Sequence, residues 1–399
     1  MRNSTIFLLR NLFILVVAIS PVSISYAVVD KFAPYVNAGT LYDSNLFRSA
    51  NNEESETIWH LGAGFESDYK LSRQHLVLDL DLDHSFYRSN DQLDNTRVDG
   101  LGAWKWQVGN LWSGNLGYKY NRQLRSFTQN LIPGSITRDK DMRTTQTVFF
   151  DADYQLHPDW SLIGAVDFKD LSYQERTQLE RDSSSGSLEV QYQNTLNTRI
   201  GLRGKYTSID VKNNTDIGEV SISNDFDVTE LSGVLYWEGS AKSALELRLG
   251  YTDITYDQGS ERDFDGVSGR FIYHWILTGK TKLDIDAWRE PSSLNDEIQD
   301  YVISQGVSIK PTWSATPVIT VLGELSYDND DFKARNDILD ALGEETRKDD
   351  TWLFKIRGRW EPRRYLDVWI GYKYIDRDST IDNRDFTDHQ VDAKVQLNF

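Results

Sequence analysis

From about residue 34 to the C-terminus, apolar and polar side chains alternate nearly one for one. In residues 76–82, Leu76, Leu78, Leu80 and Leu82 alternate with Val77, Asp79 and Asp81. Successive side chains of a strand point to opposite faces, so one face is leucine and the other carries acids. At 245–251, Leu245, Leu247, Leu249 and Tyr251 oppose Glu246, Arg248 and Gly250. At 366–374, Leu366, Val368, Ile370, Tyr372 and Tyr374 oppose Asp367, Gly371 and Lys373. The last stretch sets Val391, Ala393, Val395, Leu397 and Phe399 against Asp392, Lys394, Gln396 and Asn398. A helix would scatter these charges around its cylinder, so the period-two reading wins.

Eighteen such segments are predicted: 34–42, 57–69, 75–88, 95–108, 112–125, 142–156, 160–175, 184–195, 198–210, 223–237, 242–256, 267–278, 281–291, 299–313, 317–329, 348–360, 364–377 and 386–399. Their connections alternate in length. Residues 72–74, 109–111, 157–159, 278–280 and 361–363 read as tight turns. Between them lie polar stretches such as 43–56, 126–141, 211–222, 257–266 and 330–347. Short turns at one end and long loops at the other are expected of an outer-membrane barrel, and an even strand count puts both termini at the short-turn end. Trp112, Trp160, Trp237, Trp275, Trp313 and Trp360 each lie beside a predicted short turn, where an interfacial girdle should sit. A soluble sandwich would not confine them to one strand end. A propeller should repeat its motifs blade by blade, and no such repeat is present. Phe399, on the apolar face of the last segment, has the character of a terminal assembly signal for outer-membrane barrels.

Composition agrees. Tyr (20) outnumbers Phe (17), and Trp (12) is abundant; such amphipathic rings suit a membrane interface better than a dry core. Mean hydropathy is −0.53, and beyond residue 27 no uncharged apolar run approaches the ~20 residues of a spanning helix. A barrel escapes such a scan because its apolar residues alternate.

Residues 1–27 differ from the rest. Arg2 and Arg10 flank a basic start, Leu12 to Ile19 is an apolar core, and Ser25-Tyr26-Ala27 offers small residues to a signal peptidase. The expectation is a signal peptide over 1–27, cleaved after Ala27, and a single barrel over 28–399. With no Cys after the apolar core, a lipoprotein is excluded. Cleavage removes two Arg and no acid, so the net charge of −18 becomes −18 − 2 = −20. So acidic a chain is a poor partner for nucleic acid. Its acids read as a solvated surface, bridged by divalent cations, or as an acidic pore preferring cations or neutral sugars. The absence of Cys rules out disulfide scaffolds and thiolate metal sites.

An enzyme finds little support. The six histidines, His60, His75, His84, His157, His274 and His389, sit in no metalloprotease, nucleophile-elbow or phosphate-loop pattern, and no cofactor motif is present. Asp79, Asp81 and Asp83 share one strand face. Basic counterparts are Lys119, Arg203, Lys205, Arg248, Lys355, Arg357, Arg359 and Lys373. A lipid-facing charge costs ~2–4 kcal/mol near the midplane, so all of these are expected to line the lumen. Balanced lumen polarity is the plainer reading; a charged track for a solute is the sharper one. Trp369 shares the Asp367 and Lys373 face and is the aromatic lumen candidate, whereas Trp104 and Trp106 are placed toward lipid. Asp328-Asn329-Asp330-Asp331 lacks the glycine and distant Glu of a calcium loop and reads as a solvated external loop.

The first segment runs into Tyr42-Asp43-Ser44-Asn45-Leu46-Phe47-Arg48. This stretch resembles the exopolysaccharide-biosynthesis outer-membrane barrels of the EpsL type, within a wider group of β-barrel porins of Gram-negative bacteria. The resemblance implies a part in polysaccharide export and transfers no catalytic residues. Four functions stay open: a glycan-export channel, a general or substrate-specific diffusion porin, a structural surface barrel and an outer-membrane enzyme. The implied partners are outer-membrane lipid, a polysaccharide or other hydrophilic solute, and the outer-membrane assembly machinery. Loops 126–141 and 330–347 are the candidates for a constriction.

Overall fold

The computed structural model of the chain describes residues 28–127, 138–194, 198–217, 220–259, 262–293, 299–334, 347–381 and 383–399. The expected signal peptide and its Ala27 cleavage point lie outside the described residues, as does most of the two constriction loops. The strands are β1 (Val28–Asp43), β2 (Glu56–Leu71), β3 (Gln74–Tyr87), β4 (Asn95–Val108), β5 (Trp112–Leu124), β6 (Met142–His157), β7 (Trp160–Tyr173), β8 (Arg181–Gln193) and β9 (Arg199–Val211). After a small hairpin, β10 (Thr215–Ile217) with β11 (Val220–Ile222), come β12 (Phe226–Ser240), β13 (Ser243–Tyr256), β14 (Phe264–Ile276) and β15 (Thr281–Ser293). The chain ends with β16 (Gln299–Thr316), β17 (Ile319–Ala334), β18 (Lys348–Arg363), β19 (Leu366–Ser379) and β20 (Phe386–Asn398).

Eighteen of these strands, all but the small hairpin, form one antiparallel sheet. It closes because β1 pairs with both β2 and β20: Val36 faces Ala63 on one side and Leu397 on the other. Closure leaves no edge, which a strand in lipid requires. Each predicted segment has its strand. β1 begins earlier, at Val28, and β17 runs further, to Ala334. Asp328 to Asp331 therefore extend a strand instead of forming the expected loop. Asn329 and Asp350 on neighbouring β18 hydrogen-bond at 2.9 Å, because a strand that overshoots the membrane can carry polar residues on both faces.

Alternation sorts the two faces. On β18, Trp352, Phe354, Ile356 and Trp360 are exposed outward, while Lys355, Arg357 and Arg359 lie between them on the other face. Leu76, Leu78 and Leu82 are exposed on β3. The six Trp residues beside short turns are all at least 40% exposed, and Trp104 joins them. Trp112 stacks on Tyr154 and Trp160 packs against Tyr192, forming an aromatic girdle. Although Ala103 and Val234 are also buried further along their strands, the buried apolar clusters gather at the long-loop end. Ile209, Phe226, Ile254 and Tyr256 form one cluster there, and Leu46, Phe47, Ile58, Leu93 and Phe127 another. Midway along the barrel the inner wall is polar.

Candidate functional site on the inner wall

Two recesses of the inner wall gather most of the charged residues expected from sequence. The far wall is formed by β9 and β12 to β15. There Lys205, Glu230, Arg248, Thr252, Ser268 and Glu290 line a recess of about 230 Å³. Arg248 pairs with Glu290 and lies 3.7 Å from Glu230. Arg270 reaches Asp286 at 3.3 Å and Glu290 at 3.0 Å, with its guanidinium over the Trp288 ring. Arg203 stands in register between Glu189 and Ser232. Cation and carboxylate alternate here, as lumen polarity requires.

The seam-side wall runs from β18 through β20 to β1–β5 and encloses a recess of about 520 Å³. Its lining includes Asn37, His60, Asp83, Arg97, Lys355, Arg357, Lys373, Asp392 and Lys394. Arg97 pairs with Asp81 and lies 3.3 Å from Asp99; Tyr35 donates its hydroxyl hydrogen to Asp81 at 2.7 Å. His60 lies 3.2 Å from Asp83 and 3.0 Å from Ser85. Arg357 pairs with Asp392 at 3.0 Å, and Arg359 with Asp367 at 2.8 Å. Both guanidiniums cover the Trp369 ring, at 4.8 and 5.0 Å. Trp369 thus shares the face of the charged residues, with its ring covered by arginines instead of offered for stacking. Lys355, Lys373 and Lys394 have no ion pair among the described residues.

Glycines shape this wall. A Cβ at Gly62 would come within 2.7 Å of the Asn37 amide, and one at Gly64 within 2.5 Å of the Tyr35 hydroxyl. Bare β2 backbone is what lets these two β1 side chains lie along the wall.

Of the residues singled out from sequence, Asp83, Lys355, Arg357 and Lys373 meet in this one recess, with Asp81 and Arg359 beside it. Lys205 and Arg248 meet in the far recess, and Arg203 in the wall next to it. Asp79 stands in register with Glu66, and Lys119 lies over the Phe149 ring, so neither joins a recess. The recess also holds Asn37, Arg97, Asp392 and Lys394, which are not among the lumen candidates of the sequence. For Lys394 and Asp392 the signal was there, since both lie on the polar face of the last strand.

The Tyr42–Arg48 stretch does something other than face the lumen midway. Ser44 N–H donates to the His389 carbonyl at 3.0 Å, and His389 N–H to the Ser44 hydroxyl at 2.8 Å. The Asn45 amide donates to the carbonyls of Ser49 and Thr387. Arg48 holds φ at +55°, uncommon for a side chain with a Cβ, and binds Asp43 at 2.9 Å and Asp388 at 3.2 Å. Phe47, 1% exposed, packs edge-on to Phe127. The stretch is a clasp that ties the first strand to the last. At the same end, burial pulls the Lys212 ammonium down, but the carboxylates of Asp170 (2.8 Å) and Asp182 (3.4 Å) outweigh it and raise Lys212 above the usual lysine range.

Residues 235–399 match the model of a family described as "Putative beta-barrel porin 2". No curated protein matches the chain. Among solved structures, OpdO from Pseudomonas aeruginosa is similar at a TM-score of 0.51 and 12% identity, covering 93% of this chain and 98% of that one. OccK2 (OpdF) from the same organism is similar at 0.50 and 9% identity, covering 94% and 100%. At such identities the likeness is one of fold. The closed 18-strand barrel, its apolar outer belt and its aromatic girdle make the chain a porin-like barrel of the bacterial outer membrane.

Proposed function

We propose that the chain is a substrate-selecting diffusion channel for hydrophilic solutes, with no catalytic role of its own. The observation that carries this reading is the division of labour on the barrel wall. Apolar residues face out, and the inner wall is charged, with Arg248 and Arg270 paired on one side and Lys355 facing Lys373 without an ion pair on the other. An 18-strand barrel is wide enough to leave an aqueous path. Fixed charges on its wall bias which ions enter. In this reading the short-turn end faces the periplasm, and Phe399, 75% exposed with its N–H on the Pro34 carbonyl, serves as the assembly signal. Polysaccharide export rested on Tyr42 to Arg48, and the seam contacts of that stretch account for it without a glycan. The test is conductance. The full barrel folded into a planar lipid bilayer should give stable single-channel steps in KCl. A silent barrel would contradict the channel reading and return the structural-barrel alternative.

A further inference from the structure

We propose that the seam-side recess binds the carboxylate of a small polyhydroxylated acid, with Lys355 and Lys373 holding the charge and Asn37 a hydroxyl. The inference deepens the channel reading and rests on it.

Lys355 and Lys373 stand directly opposite each other on β18 and β19. Like charges in facing positions destabilise a sheet. No neighbouring carboxylate among the described residues forms an ion pair with either lysine. Glu324, the register neighbour of Lys355 on β17, turns to Lys310 at 3.6 Å. Asp392 leans over Gly371 and is taken by Arg357. Gln390, beside Lys373, donates its amide to Asp43 at 3.0 Å. Lys394 lies between Trp369 and Gly39 in register and feels the carboxylates of Asp81 and Asp83, so it is the partnered lysine of the three. The arginines of the recess carry their own counter-ions, whereas Lys355 and Lys373 form no ion pair among the described residues.

Asn37 is the second, independent observation. It is 6% exposed, lines the same recess, and neither its Nδ2 nor its Oδ1 has a hydrogen-bond partner. A buried amide left unpaired is a standing cost that an arriving group can remove. A hydroxyl can accept from Nδ2 and donate to Oδ1; a carboxylate can only accept. Lysines for a carboxylate and an amide for a hydroxyl together describe a sugar acid or its open-chain equivalent. A recess of about 520 Å³ falls in the size range of small-molecule sites.

The test is a ligand-observed NMR titration of sodium gluconate against the full barrel folded in detergent. Heat-dependent gel mobility checks that each variant is folded. Saturable binding is expected. Lys355→Gln with Lys373→Gln should weaken it about tenfold or more, the usual loss for hydrogen bonds to charged groups. Asn37→Ala should weaken gluconate and leave acetate unchanged. Lys310→Gln, which removes a lysine already paired, should change nothing. No binding by the native barrel, or equal binding by the Lys355/Lys373 variant, overturns the proposal. Inorganic phosphate binding as well as gluconate, with Asn37→Ala silent, overturns the assignment to a polyhydroxylated acid. A barrel that binds but does not conduct keeps the site and sinks the channel; one that conducts without binding does the reverse.

Discussion

The far wall and the seam-side wall both pair arginines with carboxylates, and they part at one place, where Lys355 faces Lys373. On the far wall Arg248 and Arg270 share Glu290 and bridge three strands. Those charges stabilise one another and leave little field for a solute. On the seam-side wall Lys355 faces Lys373, and the nearby carboxylates are occupied by other cations. Those charges repel, and neither forms an ion pair among the described residues. The difference teaches that a charged lumen residue is informative about function when its partner is missing, and informative about architecture when it is present.

The comparison can be pressed hardest at the seam itself, where pairing is most complete. Arg48 sits between Asp43 and Asp388, with side chains 12%, 4% and 0% exposed. Arg48→Ala strands two buried carboxylates, and about 3–5 kcal/mol of stability should be lost. Urea unfolding of the barrel in lipid vesicles, followed by tryptophan fluorescence, measures it; an unchanged midpoint would remove the clasp. The far wall comes next. Arg248→Ala should cost about 1–2 kcal/mol by the same assay, less than the clasp because Arg248, Glu230 and Glu290 keep 33%, 20% and 26% of their exposure, and should leave gluconate binding intact. The smallest effect has the opposite sign. Lys355→Gln with Lys373→Gln relieves a like-charge pair and should stabilise the barrel by about 0.2–1 kcal/mol while weakening solute binding. A variant that destabilises there would mean that the lysines are paired after all, and the contrast between the walls would fail.

Strand number, order and facing were legible because alternation, turn length and Trp placement are local signals that agree. Asp328 to Asp331 misled, since four polar residues in a row look like a loop when the strand simply continues past the membrane. Leu46 and Phe47 carried a signal that went unused: two large apolar residues inside a polar loop usually have somewhere to pack, here against Phe127 and Leu93. Pairing was not legible. Arg248 meets a glutamate on β15, and the seam brings Lys394 beside Gly39 from the other end of the chain. Which inward charge lacks a partner depends on register around the whole barrel. Asn37 was invisible for the same reason, because its isolation follows from Gly62 on the next strand.

The most direct measurement is the reversal potential of the barrel in a planar bilayer under a KCl gradient. The native channel should favour chloride, and Lys355→Gln with Lys373→Gln should move the potential toward potassium. Lys242→Gln with Lys280→Gln, the same charge change on exposed turns, should move it little at moderate salt, because such charges are screened within about 10 Å. Arg248→Gln with Glu290→Gln should leave it in place. A native barrel that prefers potassium, or an equal shift from either wall, would contradict the account.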